Sequence, residues 1–420
     1  MAEDLPYLRR AMLKESDSAK PVVLIYAEPL LARSMTFVRT QAEALTRFSP
    51  YYISPHYLRD GLPLSTERVL VMRRGQSSLS RLTELPFKML GLAPFFARRL
   101  RKLRPALLHA HFGPAALRAL PLARALRIPL VVTFQGYDAT VYDQFARTSK
   151  HYSHRVYVRR RKDLERGATL LIAVSNFIRD EMIRQGFAAD NIVVHYVGVN
   201  TELFHPDSQV RREPIVLFAG RLAEKKGCEY LIRAMAEVQC ASPQAQLVII
   251  GDGPLRSELE ELAAQNLQHY RFLGFQTPEV VKHWMNRARV FGAPSVRARS
   301  GDAEGYPNVF AEAQAMGLPV VSFASDGVRE AIAHGETGFL APERDAEALA
   351  YYLQRLCNDE TLCARMGAAA RAHVCAQFNL RIQTGKLEEL YMKVLGKAGP
   401  WPTGASRKVE HEERVAALDS

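Results

Sequence analysis

Two glutamates, Glu304 and Glu312, lie eight positions apart in the second half of the chain. The glycine, proline and asparagine residues between them are turn and capping residues, so we expect Glu304 in a loop and Glu312 on a helix that begins just after it. The free N–H groups at the start of that helix would attract an anion. Together these groups can hold two sets of hydroxyls around a phosphate, although two glutamates on an ordinary surface helix would simply be solvated.

A second candidate group, Arg221, Lys225 and Lys226, follows the apolar run at residues 215–219. Arginine offers a planar fork of donors and lysine a point charge, and both suit a diphosphate. A solvated basic turn is the alternative interpretation. The chemistry predicted for this turn is therefore the binding of phosphate groups.

A glycine-bearing turn, Gly-Asp-Gly-Pro at residues 251–254, leads into a predicted helix over residues 255–264. A dinucleotide-binding fingerprint needs a third glycine at a fixed spacing after the first two, and this turn does not have it. The pattern therefore argues against NAD binding.

These residues must be positioned by the short apolar runs that alternate with segments long enough for a crossover helix. The runs lie at residues 21–26, 106–110, 130–134 and 170–174 in the first half, and at 215–219, 246–250, 290–293 and 319–323 in the second. Continuous apolar strands joined by helices indicate parallel sheets covered on both faces. We therefore predict an α/β protein with two doubly wound sheets, one in each half. In such folds ligands bind beyond the carboxyl ends of the strands, where Arg221, Lys226 and Glu304 fall.

The length of 420 residues favours two domains, each large enough to bury a core. Polar and proline residues over 204–214 indicate a linker. We predict an N-terminal extension over 1–20, a first domain over 21–208, a second domain over 209–378, a crossover helix over 379–396 and a disordered tail over 397–420.

The five cysteines all fall in the second half, in an odd number and without the spacing of metal ligands. They favour free thiols in a reducing compartment over disulfides or zinc. The first 20 residues lack the apolar core of a signal peptide, and no run reaches the roughly 18 apolar residues of a membrane span. The sequence therefore predicts a cytoplasmic protein.

Positive charge is concentrated in the first half. Between Arg81 and Arg166 there are 18 Lys or Arg residues against 5 Asp or Glu, whereas the whole chain carries a net charge of +12. Residues 87–104 join an apolar stretch to an arginine-rich end, which suits the interface of an anionic membrane. A core helix with a solvated cationic end is the alternative, and Pro94 would break a continuous helix. Nucleic acid is not expected, because the basic run at 159–162 has one nearby aromatic residue and no recognisable module around it.

The order of these segments resembles glycosyltransferase family 4, a group of retaining, metal-independent enzymes of the GT-B fold. It looks closest to the members that build bacterial exopolysaccharide, such as the colanic-acid-type glycosyltransferases. The resemblance covers about residues 105–375 and rests on Gly-Arg-Leu at 220–222, Lys-Gly at 226–227, Gly-Asp-Gly-Pro at 251–254, the segment 304–312, Gly-Glu-Thr-Gly-Phe-Leu at 335–340, Ala-Val-Ser-Asn-Phe at 173–177, and residues 197–206. It implies two Rossmann-like domains that face a cleft, the first for the acceptor and the second for the donor.

The resemblance also implies a role for each matching residue. Arg221 and Lys226 would bind the donor diphosphate and stabilise the leaving nucleotide, and Glu304 would hydrogen-bond hydroxyls of the donor sugar. These three are the implied catalytic residues, while Glu312 would bind the ribose. No cofactor is implied, and no divalent metal is needed if these cations and the helix start supply the positive charge. The rest of the phosphate cradle would come from Tyr306, Pro307, Asn308 and Val309.

The first half departs from the family pattern at two places. Many relatives carry histidine where this chain has Gln135, beside the reacting anomeric carbon, and a glutamine keeps a carbonyl there but no basic imidazole. The usual glycine-rich first loop is replaced by a segment without glycine, in which Arg33, Ser34 and Thr36 are candidates for covering the acceptor or a phosphate. His111 follows a predicted strand and is a candidate for contact with the acceptor.

The function implied by the resemblance is transfer of a hexose from a UDP- or GDP-linked sugar to a glycan acceptor in exopolysaccharide or cell-surface polysaccharide biosynthesis. The acceptor is expected to be lipid-linked, and the basic first half is expected to bring the enzyme to an anionic membrane surface, peripherally on the inner face of the cytoplasmic membrane. One alternative is another GT-B enzyme, such as a nucleotide-sugar epimerase or a sugar phosphate synthase. The other is a non-catalytic membrane- or polyanion-binding protein, which the changed first loop favours and the intact donor residues disfavour.

Overall fold

The computed structural model of the protein describes residues 20–33, 35–58, 61–73, 87 and 93–397. The predicted N-terminal extension apart from Lys20, and the predicted tail beyond Lys397, lie outside these residues. The strands are β1 (Val22–Tyr26), β2 (Ser49–His56), β3 (Val69–Arg73), β4 (Pro105–His111), β5 (Leu130–Phe134), β6 (Leu170–Ala173), β7 (Ile192–Val194), β8 (Ile215–Ala219), β9 (Gln246–Ile250), β10 (Tyr270–Phe272), β11 (Val290–Gly292), β12 (Val320–Phe323) and β13 (Gly338–Ala341).

Helices connect nearly all of these strands. They are α1 (Thr36–Glu43), α2 (Pro94–Arg101), α3 (Gly113–Leu126), α4 (Tyr137–Thr140), α5 (Asp143–Thr148), α6 (Tyr152–Gly167), α7 (Asn176–Arg184), α8 (Cys228–Ala241), α9 (Arg256–Asn266), α10 (Pro278–Arg287), α11 (Asn308–Ala315), α12 (Ala346–Asn358), α13 (Glu360–Gln377) and α14 (Leu380–Lys397). Short 3₁₀ turns lie at Thr66–Arg68, Ala189–Asn191, Glu224–Lys226 and Asp326–Glu330.

The strands form two parallel sheets of the same design. The first has the order β3-β2-β1-β4-β5-β6-β7 and the second β10-β9-β8-β11-β12-β13. In each sheet the chain first adds strands on one side of its first strand and then crosses to the other side. The pairs β1/β4 and β8/β11 are thus the points where the strand order reverses, and loops that leave these carboxyl ends diverge and open a crevice. The predicted fold class is confirmed.

Each sheet is covered on both faces, as the apolar strands predict. In β1, Leu24 and Tyr26 join one buried cluster, while Val23 and Ile25 join another on the opposite face. This alternation follows from the two-residue period of a strand, and it explains why nearly every residue of β1 is apolar.

The last helix, α14, returns to the first domain. Its Leu387, Tyr391 and Val394 pack in the buried cluster that covers Val23 and Ile25 of β1. One turn before Tyr391 its carboxylate Glu388 accepts hydrogen bonds from the backbone N–H groups of Thr46 and Arg47, both at 2.6 Å. The second domain is therefore followed by a helix that completes the core of the first.

The helix α2 lies in the segment for which the sequence predicts membrane contact, and residues 88–92 of that segment lie outside the described part. Pro94 occupies the first turn of α2, where its missing N–H breaks no helical hydrogen bond, so it begins the helix and does not interrupt it. Phe96, Ala97 and Leu100 face the core, whereas Phe95 is 85% exposed. Among the described residues, the helices are all too short or too polar to cross a bilayer.

Candidate functional site

The candidate site lies at the carboxyl ends of β8 and β11, where the second sheet reverses its strand order. Residues 220–226 leave β8 in a tight turn, and residues 293–307 leave β11 in a long loop before α11 begins. The close approach of the loops that follow β8, β9 and β11 depends on glycine. A side chain at Gly251 would place its Cβ 1.8 Å from the carbonyl oxygen of Gly220, and one at Gly227 would lie 1.9 Å from that of Pro294.

Two lysines and two carboxylates meet between these loops. Lys226 Nζ lies 2.8 Å from Glu304 Oε1, and Lys225 Nζ lies 3.0 Å from Asp302 Oδ1. Glu304 is 8% exposed. Burial by itself would raise its pKa, but the charges of Lys226 and Lys225 outweigh burial and hold the pKa of Glu304 below its ordinary value. The structure thus brings Lys226 and Glu304 together as an ionised pair.

Arg221, which follows β8, and Glu312, which lies on α11, make no side-chain hydrogen bond or ion pair within the described part of the chain. The guanidinium of Arg221 is exposed. Glu312 is half-buried on α11, and burial raises its pKa to about 7. A carboxylate without a partner in a partly dry position is a ready acceptor for hydroxyl groups of a ligand.

The helix α11 begins where the sequence predicts it. Pro307 precedes the first turn, and Asn308 and Val309 supply its first N–H groups, half-buried at the edge of the site. The ring of Tyr306 points elsewhere, since it packs 5.2 Å from the ring of Tyr196 and 5.0 Å from that of Phe378. Any contribution of Tyr306 to a ligand would therefore come from its backbone.

The wall from the first domain carries Gln135 and His111. Gln135 Nε2 donates to His111 Nδ1 at 3.2 Å, and the His111 ring is 1% exposed. Burial lowers the pKa of His111 to about 3, so the imidazole is neutral. The structure thus places His111 in the interior, and Gln135, which is half-buried, presents the polar group on this wall.

The loop of Gln135 touches the loop of Glu304. A side chain at Gly305 would place its Cβ 2.1 Å from the Gln135 carbonyl oxygen, so only glycine permits this approach. The hydroxyl of Ser175, also in the first domain, donates to the Gly305 carbonyl at 2.7 Å. Residues from both domains therefore meet at Gly305.

Asp138 organises this wall and was not among the site residues predicted from the sequence. It is 3% exposed and accepts hydrogen bonds from the N–H groups of Gly113 at 2.9 Å, Gln135 at 3.1 Å and Gly136 at 2.9 Å. Burial raises the pKa of Asp138, although these three donors oppose the rise. An aspartate two positions after a glycine at a strand end is a local signal that would have found it.

The first loop carries the predicted candidates Arg33, Ser34 and Thr36. Ser34 lies outside the described residues. Thr36 begins α1 and is half-buried, and its side chain makes no hydrogen bond to another described residue. The guanidinium of Arg33 lies 5.1 Å from the centre of the Phe275 ring, which belongs to the second domain. Arg33 is therefore placed across the cleft, against the opposite domain.

Glu330 is a second residue that the sequence analysis missed. Its carboxylate accepts hydrogen bonds from the N–H groups of Asn176 at 3.0 Å and Phe177 at 2.7 Å, and from the Tyr196 hydroxyl at 2.6 Å. A carboxylate of the second domain thus caps the N-terminus of α7 in the first domain, which satisfies N–H groups that lack helical partners. Among the described residues, no three side chains of metal-ligating type cluster together.

Comparison with known families assigns both halves of the chain. The family described as Glycosyltransferase Family 4 matches residues 36–203, and the family described as Glycosyl transferases group 1 matches residues 200–373.

Three similar proteins are glycosyltransferases by name. The amylovoran biosynthesis glycosyltransferase AmsK of Erwinia amylovora is 33% identical over 287 residues, which cover 67% of this chain and 68% of AmsK. The putative colanic acid biosynthesis glycosyltransferase WcaL of Escherichia coli K12 is 30% identical over 292 residues, covering 67% of this chain and 69% of WcaL. A GDP-mannose-dependent monoacylated alpha-(1-6)-phosphatidylinositol monomannoside mannosyltransferase of Corynebacterium glutamicum is 36% identical over 179 residues, covering 42% of this chain and 46% of that enzyme.

Solved structures share the fold at lower identity. HepE of Anabaena, in complex with UDP and glucose, superimposes with a TM-score of 0.68 at 19% identity, over 89% of this chain and 100% of that one. Sucrose-phosphate synthase of Thermosynechococcus elongatus gives a TM-score of 0.71 at 22% identity, over 90% of this chain and 100% of that one. With the relative at 33% identity and the two matching families, these findings lead to one assignment. The chain belongs to glycosyltransferase family 4 and is a glycosyltransferase of the GT-B fold.

Proposed function

We propose that the enzyme moves a hexose from a nucleotide diphosphate sugar to a hydroxyl of a glycan, with retention of configuration at the anomeric carbon. The observation that supports this most is the ionised Lys226–Glu304 pair, which lies where the second sheet reverses its order. A half-buried cation suits a diphosphate, and a buried carboxylate suits the hydroxyls of a sugar. The two groups are 2.8 Å apart, so one ligand carrying both kinds of group would meet both.

Each residue then has a definite task. Lys226 has three N–H donors, so it can hold Glu304 and a phosphate oxygen at the same time. The exposed Arg221 adds a second cation for the diphosphate, and the first N–H groups of α11 add a third source of positive potential. Glu304 would accept from hydroxyls of the hexose and Glu312 from those of the ribose. With these charges in place, we propose that the reaction needs no divalent metal.

The bond changes follow from this placement. The acceptor hydroxyl oxygen bonds to the anomeric carbon on the face from which the diphosphate departs, and the bond from that carbon to the phosphate oxygen breaks. The acceptor proton passes to the departing phosphate oxygen, and Arg221 and Lys226 stabilise the negative charge that develops there. Attack and departure on one face retain the configuration.

The donor and the acceptor are proposed from the relatives. HepE binds UDP, and the mannosyltransferase of Corynebacterium glutamicum depends on GDP-mannose, so both nucleotides are candidates for this enzyme. AmsK and WcaL are named for amylovoran and colanic acid biosynthesis. We propose a growing exopolysaccharide or cell-surface polysaccharide as the acceptor.

The surface of α2 supports a lipid-linked acceptor at an anionic membrane. Phe95 is 85% exposed, and Arg98, Arg99 and Arg101 are exposed on the same short helix. An aromatic ring beside several arginines suits insertion at the headgroup level of an anionic bilayer. The enzyme would then work peripherally on the cytoplasmic face of the membrane.

Thermal unfolding with UDP, GDP and a panel of their sugars, without metal, tests the donor site. A ligand that binds only the folded state at a hundred times its dissociation constant stabilises the protein by about 2.7 kcal/mol. We expect one nucleotide to raise the Tm, and Arg221→Ala to abolish the rise. A nucleotide that raises the Tm of Arg221→Ala as much as that of the native protein would contradict the proposed cradle. Transfer of the sugar to an added glycan then distinguishes a transferase from an epimerase.

A further inference from the structure

A buried polar contact connects the last helix to the first sheet. The hydroxyl of Tyr391 on α14 lies 2.6 Å from His109 Nδ1, and Thr133 Oγ1 lies 2.7 Å from His109 Nε2. All three side chains are less than 5% exposed. A neutral imidazole has one donor nitrogen and one acceptor nitrogen, and the two hydroxyls can complement them, so the ring of His109 is fixed at both ends.

This contact continues to the cleft. His109 and His111 are two positions apart on β4, so they lie on the same face of the sheet, and their ring centres are 4.4 Å apart. Behind Gln135, His111 holds the amide through its 3.2 Å hydrogen bond. Because Gln135 Nε2 can only donate, His111 Nδ1 must carry the lone pair, and the amide oxygen of Gln135 is turned away from His111.

We infer that Tyr391 is a positioning residue for the wall of the cleft that carries Gln135. Its hydroxyl fixes the ring of His109, which packs against His111, and His111 orients the Gln135 amide beside the loop of Gly305. The inference rests on the proposed function for its catalytic consequence. The last helix would thus set the geometry of the site, in addition to covering a hydrophobic face.

Glu388 offers a matched control on the same helix. It lies one turn before Tyr391, is 2% exposed, and holds α14 to Thr46 and Arg47 through backbone and side-chain contacts. Because Glu388 contacts Thr46 and Arg47 and not His109, we expect removal of its charge to weaken the docking of α14 without removing the hydrogen bond between Tyr391 and His109. Glu388→Gln therefore measures what looser docking does by itself.

The experiment compares Tyr391→Phe and Thr133→Val, which each remove one hydroxyl partner of His109, with Glu388→Gln in the full chain. Hydrogen exchange is followed at the backbone amides of Gln135 and Gly136, which Asp138 holds in the native protein. We expect exchange at these two amides to accelerate about tenfold in Tyr391→Phe and Thr133→Val, which corresponds to the loss of one hydrogen bond. Exchange there should be unchanged in Glu388→Gln.

Turnover is measured with the nucleotide sugar that thermal unfolding identifies. We expect Tyr391→Phe to lower kcat about tenfold with the KM for the donor unchanged, because the donor-binding loops are untouched. An unchanged kcat in Tyr391→Phe, or equal losses in Glu388→Gln, would overturn the inference. If the native protein turns over no nucleotide sugar, the proposed function fails, while the exchange rates still decide whether Tyr391 positions this wall.

Discussion

At the scale of single residues, the chemistry of the site depends on charge states that the neighbours set. Lys226 keeps Glu304 ionised in a position where burial alone would favour the protonated acid. Burial raises the pKa of Glu312 to about 7. Two glutamates eight positions apart therefore have opposite pKa shifts, and the difference arises from two lysines, Lys225 and Lys226, that lie far from both in sequence.

Replacing Glu304 by glutamine tests its predicted contact with the donor sugar. Glu304→Gln keeps the size of the side chain but removes the charge that Lys226 balances, so we expect kcat to fall about a hundredfold, the usual cost of removing one electrostatic contact to a transition state. The same change at the exposed Glu336 is the control and should be silent. Circular dichroism checks that both variants fold; a fully active Glu304→Gln would remove Glu304 from the site.

The raised pKa of Glu312 predicts how stability depends on pH. The folded protein holds this proton more tightly than the unfolded chain, whose glutamates titrate near 4.3. Its contribution to stability is therefore full below about pH 4 and is lost as the pH rises towards 7. We expect Glu312→Gln, which cannot lose a proton, to raise the Tm at pH 8 relative to the native protein and to raise it less at pH 5. Equal shifts at both pH values would contradict the assigned cause.

At the scale of elements, the sequence predicts the strands that are apolar throughout and misses those that are not. All eight predicted strands are present, because each is buried on both faces. The missed strands are β2, which contains Pro50 and Pro55, and the short β7, β10 and β13, together with β3. Their residues pair because a neighbouring strand is already in place, which a local pattern does not reveal. The same limit applies to Glu330, whose partner Asn176 lies 154 positions away in sequence.

The cap that Glu330 provides for α7 predicts an effect on how the domains sit together. Glu330→Ala would remove the second-domain carboxylate that accepts from the N–H groups of Asn176 and Phe177, so one contact that holds the two domains together is lost. We expect a larger radius of gyration by small-angle X-ray scattering and weaker binding of the donor. The adjacent exposed Arg329 provides the control substitution, Arg329→Ala. A radius unchanged in Glu330→Ala would show that other contacts hold the domains together.

At the scale of the whole molecule, the family motifs lie in loops at one edge of each sheet, so the location of the cleft was predictable from strand order and motif order together. The sequence did not allow us to predict which side chains of the first domain reach the cleft. His111 was expected at the acceptor, yet the twist and packing of the sheet bury it behind Gln135. Asp138 was overlooked because its role lies in backbone contacts to two separate loops. The burial of His111 and the contacts of Asp138 both depend on distances between elements, and a local sequence pattern does not reveal these distances.

The proposed membrane surface makes a prediction about the intact protein. Arg98→Glu combined with Arg101→Glu reverses two charges on α2, and each basic residue near an anionic surface contributes about 1 kcal/mol. We expect binding to vesicles of phosphatidylglycerol and phosphatidylcholine to weaken at least about tenfold, and vesicles of phosphatidylcholine alone to bind neither form. The control pair Arg159→Glu and Arg160→Glu carries the same change of charge on α6, where both side chains are exposed. If both pairs of substitutions weaken vesicle binding equally, the protein is attracted to the membrane by its overall charge and not by the surface of α2.

The return of α14 to the first domain also bears on how the protein is made. The face of the first sheet formed by Val23, Ile25 and Leu107 packs against Leu387, Tyr391 and Val394. During translation this apolar face emerges from the ribosome long before α14, which covers it, because the entire second domain is synthesised in between. The nascent first domain therefore keeps this apolar face exposed until α14 is synthesised. Such a face is a binding site for the chaperones that bind newly made chains. The contact between Tyr391 and His109 would therefore be among the last to form as the protein folds.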